Sequence, residues 1–207
     1  MPMFHVVESG QIRCLQSAGL ATYDFVTHAF CTRHPETGRG SSADSDRGGT
    51  SQGDREGSAA SGRLLFQAFG IPGDRFFRLR QVHGDGIAIL KQSPWKENFP
   101  EPPACDAVIT DQPNVALCIH TADCVPIFLL DPERRIIANI HAGWRGTALN
   151  IAGKVVENMA GCFGSRADWV IAAIGPAIGS CCYEVDDPVI SAMGRWGWGD
   201  GVCRPSP

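Results

Sequence analysis

At 207 residues, 43% of them hydrophobic, the chain is long enough for a substantial core and too apolar for wholesale disorder. A formal charge of −4 at neutral pH excludes a nucleic-acid binder held by bulk electrostatics, though not a small anion held by a local Arg. No apolar run reaches the length of a bilayer-crossing helix, and residues 1–10 show no basic segment leading into an apolar one. The expected setting is therefore the cytoplasm, with neither membrane nor nucleic acid as partner.

In chain order, the first expected strand spans residues 22–32, rich in β-branched and aromatic types. Residues 37–62 then carry Gly, Ser, Asp and Arg but no large apolar side chain. Such a segment cannot bury enough surface to offset its ordering entropy, so a mobile loop is expected there. A short helix is expected at 63–69, closed by Gly70 and Pro72. Strands follow at 76–82, ending at His83, and at 86–90. After a Pro-rich loop at 93–103 come strand-like runs at 107–110, 115–120, 125–130 and 136–141. The turn sequences Asp111-Gln112-Pro113-Asn114 and Asp131-Pro132-Glu133 divide them. Residues 147–163 form the one clear helix. There Ala148, Ile151, Ala152, Val155, Val156, Met159, Ala160 and Phe163 recur on one face, and Thr147 stands at the N-cap position. A buried strand at 169–174 and a helix from 187 follow, and residues 194–207 have no periodicity. Strands dominate with helices at the margins. This pattern predicts a mixed-sheet α/β or α+β sandwich forming a single domain over residues 1–207.

Three separated segments each deliver one metal-capable side chain: Gln81-Val82-His83-Gly84, Thr121-Ala122-Asp123-Cys124-Val125-Pro126 and His141-Ala142-Gly143-Trp144-Arg145-Gly146-Thr147. Two imidazoles and a thiolate can hold Zn²⁺ with a fourth position open. The same groups suit copper, or metal-free chemistry in which His141 activates a Cys124 nucleophile. Asp123 beside Cys124 could orient a ligand or move a proton; a plain turn Asp is the simpler alternative. His141 ends a strand and leads through a Gly-rich turn into a helix. Such a junction exposes backbone N–H groups to an anion, and Arg145 and Thr147 would reinforce the grip. The simpler alternative is an ordinary turn with a solvated Arg. His120 is a rival ligand, but strand alternation places it with Cys118 rather than Cys124. His5, His28 and His34 have weaker contexts. Nine cysteines without a Cys-x-x-Cys pair predict reduced thiols. Cys118 and Cys162 are expected in the core, and the adjacent Cys181 and Cys182 have no evident place.

Together with Thr27-His28-Ala29-Phe30-Cys31-Thr32-Arg33, Asp106-Ala107-Val108-Ile109-Thr110, Gly175-Pro176-Ala177-Ile178-Gly179 and Cys181-Cys182-Tyr183-Glu184-Val185, these segments resemble the laccase-domain family. This family is also called the polyphenol-oxidase or peptidoglycan-editing-factor family. The resemblance runs from about residue 22 to 190. It implies a four-layer α/β/β/α sandwich and a metal site of His83, Cys124 and His141 taking zinc or copper. It implies substrate contacts from Arg33, Arg63, Arg145 and Thr147, and catalytic roles for Cys124, His141 and Asp123. The implied activities are phosphorolysis of purine nucleosides (adenosine, inosine, methylthioadenosine), adenosine deamination and oxidation of phenols. The family's Gly-Gly-x-Ser and Ser-Leu-Asn-Leu motifs are missing from residues 37–62, and its C-terminal portion extends beyond residue 207.

The histidine count tests the oxidase reading. Six imidazoles, three of them in the trio, cannot furnish an oxygen-reducing multicopper cluster. An open zinc site, which lowers the pKa of bound water to about 7, suits deamination and hydrolysis. Phosphorolysis also needs a phosphate grip, which the Arg145 turn would provide, and an apolar slot for the base, for which Trp144 is a candidate. The expected function is a metal-dependent purine nucleoside phosphorylase using nucleoside and phosphate, with deaminase side activity and weak copper-dependent phenol oxidation. The alternatives are a metal-free cysteine hydrolase acting on cell-wall precursors and a truncated, weakly active binding protein.

Overall fold

The computed structural model describes residues 3–9, 12–31, 68–92, 101–196 and 202–203. Internal contacts divide the chain into two compact units, Met1–Phe76 and Phe77–Pro207.

In the first unit, β1 (Phe4–Ser9) and β2 (Ile12–Ser17) form an antiparallel hairpin, in register from Phe4↔Ser17 to Ser9↔Ile12. No strand is expected here from the sequence, because the alternation is short. Ile12 and Cys14 are buried and Arg13 is exposed, but the polar Gln16 and Ser17 blur the pattern. The strand expected at 22–32 shrinks to β3 (Phe30–Cys31), paired to β2 through Cys14↔Cys31 and Leu15↔Phe30. Residues Leu20–Thr22 form a 3₁₀ turn instead. Side chains rather than a ladder hold the intervening segment. Gln16 Nε2 donates to the His28 carbonyl at 2.9 Å, and the Ser17 amide donates to His28 Nε2 at 2.8 Å. The loop expected at 37–62 lies outside the described residues, as does all of the 63–69 helix except Ala68 and Phe69.

The second unit is built on a five-stranded mixed sheet. Its strands are β5 (Ile87–Leu90), β6 (Ala107–Thr110), β8 (Val125–Asp131), β9 (Ile136–Ala142) and β10 (Ile171–Ile174), in the order β10-β8-β9-β6-β5. The β5–β6 pair is parallel and the other pairs are antiparallel. A two-stranded sheet joins β4 (Phe76–Arg78) to β7 (Ala116–Cys118). Period-two alternation decides which side chains face where. Ala107, Ile109, Ala138 and Ile140 face Ile151, Val155 and Met159 of the main helix. Val108 and Leu90 face Phe77, Leu79 and Val115. Each fully buried large aliphatic side chain contributes about 1.5–3 kcal/mol. The described residues of this unit therefore stack a helix, a mixed sheet and a second small sheet, an α/β fold with mixed sheets as expected.

The main helix differs from expectation at its start. It is split into α1 (Trp144–Ala148) and α2 (Ile151–Phe163), with Asn150 between them at φ 57°. Thr147 is not an N-cap. Gly143 occupies that position, and the Thr147 amide donates to the Gly143 carbonyl within the first turn. Asn tolerates the left-handed backbone better than most residues, so the apolar spacing survives the break. α2 ends at Gly164, also left-handed, whose amide caps the Ala160 carbonyl. After β10, α3 (Asp187–Gly194) packs against α1. No helix among the described residues is long and apolar enough to cross a membrane.

Candidate metal centre

His83 follows β4 in a loop and has a left-handed backbone, φ 57°. For a non-glycine residue this costs about 1–2 kcal/mol. The compensation comes from Asp106, which is fully buried at the start of β6. Its carboxylate accepts the amide N–H groups of Val82 at 3.2 Å, His83 at 2.9 Å and Gly84 at 2.7 Å. The curled backbone around His83 is thus a ring of donors closed on one carboxylate. Gln81 pins the other side of the loop: its amide Oε1 accepts from the His120 N–H and its Nε2 donates to the His120 carbonyl, both at 2.8 Å.

Asp106 also holds His141. The imidazole Nδ1 lies 2.8 Å from Asp106 Oδ1, and both side chains are buried. A carboxylate partner fixes the proton on Nδ1 and leaves Nε2 as a lone-pair donor. The sheet supplies the remaining placement. β8 and β9 pair Pro126 with His141 and Val125 with Ala142, so Cys124 falls beside the exit of β9. A Cβ on Gly143 would lie 3.1 Å from Cys124 Sγ and 3.2 Å from His83 Cδ2. Glycine is therefore what lets the two ligands close over this turn. Gly146 is tighter still, since a Cβ there would sit 2.8 Å from the Gly84 carbonyl. The α1 helix thereby meets the His83 loop backbone to backbone.

The outcome is convergence. The ligand atoms of His83, Cys124 and His141 all lie within 4.8 Å of one another, and the two imidazoles meet edge to face at 4.7 Å between centroids. Zinc bonds of 2.0–2.3 Å in a tetrahedral site set ligand atoms roughly 3.3–3.7 Å apart, so three atoms within 4.8 Å of one another are about 1 Å or less from that spacing. The donor set, its carboxylate-backed imidazole and the glycine under it fit a metal. Among the described residues this is the one such cluster, and His120 is not part of it.

The other expected residues are placed as follows. Asp123 is exposed on the turn beside Cys124, and its carboxylate is not among the converging ligand atoms. Arg145 is exposed on α1 with its guanidinium stacked 4.2 Å above the Trp144 ring, and Thr147 is half-buried on the same helix. Arg33 and Arg63 lie outside the described residues. Two residues had no role assigned from sequence. Asp106 was the fixed point of the site, signalled only by a charge abutting an apolar strand. Tyr183 lies within electrostatic reach of the trio. Burial raises its phenol pKa most, negative charge on Cys124 and Asp186 adds to this, and Arg145 opposes it. The loop carrying Tyr183 is tied to the Cys124 segment by the Ile178 amide on the Asp123 carbonyl and the Gly175 amide on the Pro126 carbonyl.

Residues 27–199 match the family model described as multi-copper polyphenol oxidoreductase laccase. A purine nucleoside phosphorylase of Deinococcus radiodurans is 36% identical over 86% of this chain and 67% of its own length. An adenosine deaminase, RL5, from an unknown prokaryotic organism is 37% identical over 62% of this chain and 50% of its own length. The crystal structure of YlmD from Geobacillus stearothermophilus superposes with a TM-score of 0.63 at 35% identity, covering 69% of this chain and 54% of that one. The chain thus spans between half and two thirds of the length of these relatives.

Proposed function

The chain belongs to the laccase-like family just described, and we propose that it is a metal-dependent purine nucleoside phosphorylase within it. The observation that carries this reading is the convergence of His83, Cys124 and His141 in a chain whose relatives bear nucleoside-processing names. The three side chains hold zinc in preference, or copper. Once bound there, the ion supplies Lewis acidity toward a substrate oxygen.

The chain's own residues do the rest. Asp106 holds the proton on His141 Nδ1 and fixes the ring. Arg145 supplies a planar fork of donors for phosphate, and stacking on Trp144 pre-sets its orientation. Thr147 lies on the same helix. A phosphate oxygen attacks the anomeric carbon of the ribose, the carbon–nitrogen bond to the purine breaks, and Asp123 relays a proton from the attacking phosphate to the departing base. Adenosine deamination is a side activity of the same cleft, and weak phenol oxidation accompanies copper loading.

One observation favours a second reading. Cys124, His141 and Asp106 form a nucleophile–base–carboxylate series, with the 2.8 Å His141–Asp106 contact as its orienting bond. In this reading Cys124 attacks as a thiolate with no metal. A product assay on inosine, with and without phosphate, separates the two. Phosphorolysis predicts hypoxanthine and a ribose phosphate, dependent on both phosphate and metal and lost in Cys124→Ala. Full, alkylation-sensitive hydrolysis by chelated protein would overturn it in favour of the thiol enzyme. Stoichiometric metal without turnover of any nucleoside would leave a binding protein.

A further inference from the structure

Cys181 and Cys182 lie outside the trio, and the proposed reaction makes no use of them. Both are exposed, and their sulfurs lie 3.3 Å apart. Consecutive side chains on an extended strand point to opposite faces, so two adjacent thiols meet only where the backbone turns. Here it does. The amides of Cys182 and Tyr183 both donate to the Gly179 carbonyl, at 2.9 and 3.1 Å. A Cβ on Gly179 would stand 3.5 Å from Cys181 Sγ, so glycine leaves the sulfur room to move. The turn is anchored upstream by the Ile178 amide on the Asp123 carbonyl and downstream by the start of α3.

We propose that Cys181 and Cys182 form a reversible dithiol–disulfide site, oxidised by low-molecular-weight disulfides such as oxidised glutathione. Hydrogen bonding to Cys181 raises the Cys182 thiol pKa, and in the proposed sequence Cys181 attacks first and Cys182 resolves. The Cys181 thiolate attacks one sulfur of the oxidant. The oxidant's sulfur–sulfur bond breaks, and one thiol departs with the electron pair and takes up a proton. The Cys182 thiolate then displaces the second thiol from the mixed disulfide. In sum, the protein pair loses two electrons and two protons, and the oxidant is reduced to two thiols. Closure shortens the 3.3 Å separation by about 1.2 Å to a normal bond. The small ring encloses the planar peptide between the two cysteines, so the bond is strained and readily reduced again.

The test uses the full, metal-loaded chain treated with oxidised glutathione, alkylated and digested for mass spectrometry. The expected result is a peptide holding both cysteines that has lost two hydrogens, carries no glutathione and recovers alkylation after dithiothreitol. Cys182→Ser should arrest the sequence as a single glutathione on Cys181. Wild-type peptide bearing two glutathiones, or both thiols still fully alkylated after oxidant treatment, would overturn the proposal.

Discussion

Asp106 positions two of the three metal-capable side chains. Its carboxylate receives the backbone of the His83 loop on one side and the His141 ring on the other. Removing its charge loosens both. Asp106→Asn should weaken zinc binding by about 10–100-fold while leaving the chain folded, as measured by competition with a chromophoric chelator. Asp106→Ala leaves several amides without an acceptor and should cost about 3–5 kcal/mol in denaturant unfolding. An unchanged zinc affinity in Asp106→Asn would remove Asp106 from the site. Cys124 and His141 were legible in the sequence because each stands at an end of an apolar run, whereas the strand expected over 76–82 stops at Arg78 and leaves His83 in the loop beyond it. Asp106 was not legible, because an Asp before a strand reads as a turn and its partners are 22 to 35 residues away. Thr147 misled for a related reason. A hydroxyl before a periodic run resembles an N-cap, yet Gly143 had already started the helix four residues earlier.

At the scale of elements, strands that carry core-facing alternation were readable almost to the residue. Residues 107–110 are the example: all four are buried, between β5 and β9. Where side chains replace ladder bonds, the reading failed, as at 22–29. The His28 contact that holds this segment makes a pH prediction. Burial lowers the His28 pKa, and its Nε2 accepts the Ser17 N–H only when unprotonated. A folded-state pKa below the unfolded value of about 6.5 means the contribution is full above that pH and is lost as pH falls through the lowered value. Hydrogen exchange at the Ser17 amide, corrected for intrinsic pH dependence, should therefore accelerate in mildly acid solution. The acceleration should be absent in His28→Ala, where exchange is already fast at neutral pH. Protection that is flat across this range in the wild type would contradict the contact. Glycine plays the opposite role in α1. At Gly146 any side chain would meet the Gly84 carbonyl, so the approach of helix and loop depends on the missing Cβ.

For the whole molecule, the fold follows from periodicity, and the site follows from register. The β8–β9 pairing puts Cys124 beside the end of β9, the same strand end that presents His141, while β6 delivers Asp106 beneath the His83 loop. Residues 41 and 58 positions apart from His83 along the chain are thereby brought to one point; this could not be read from spacing alone, because nothing in the sequence states which strands are neighbours. In the proposed function, His83, Cys124 and His141 act as one metal centre. Cobalt(II) titration tests it most directly, since cobalt takes zinc's ligands and reports a bound thiolate by a charge-transfer absorption. About one cobalt per chain is expected, with a thiolate charge-transfer band that vanishes in Cys124→Ser and weaker binding in His83→Ala and His141→Ala. A band that survives Cys124→Ser, or no thiolate band at all in the wild-type chain, would contradict it.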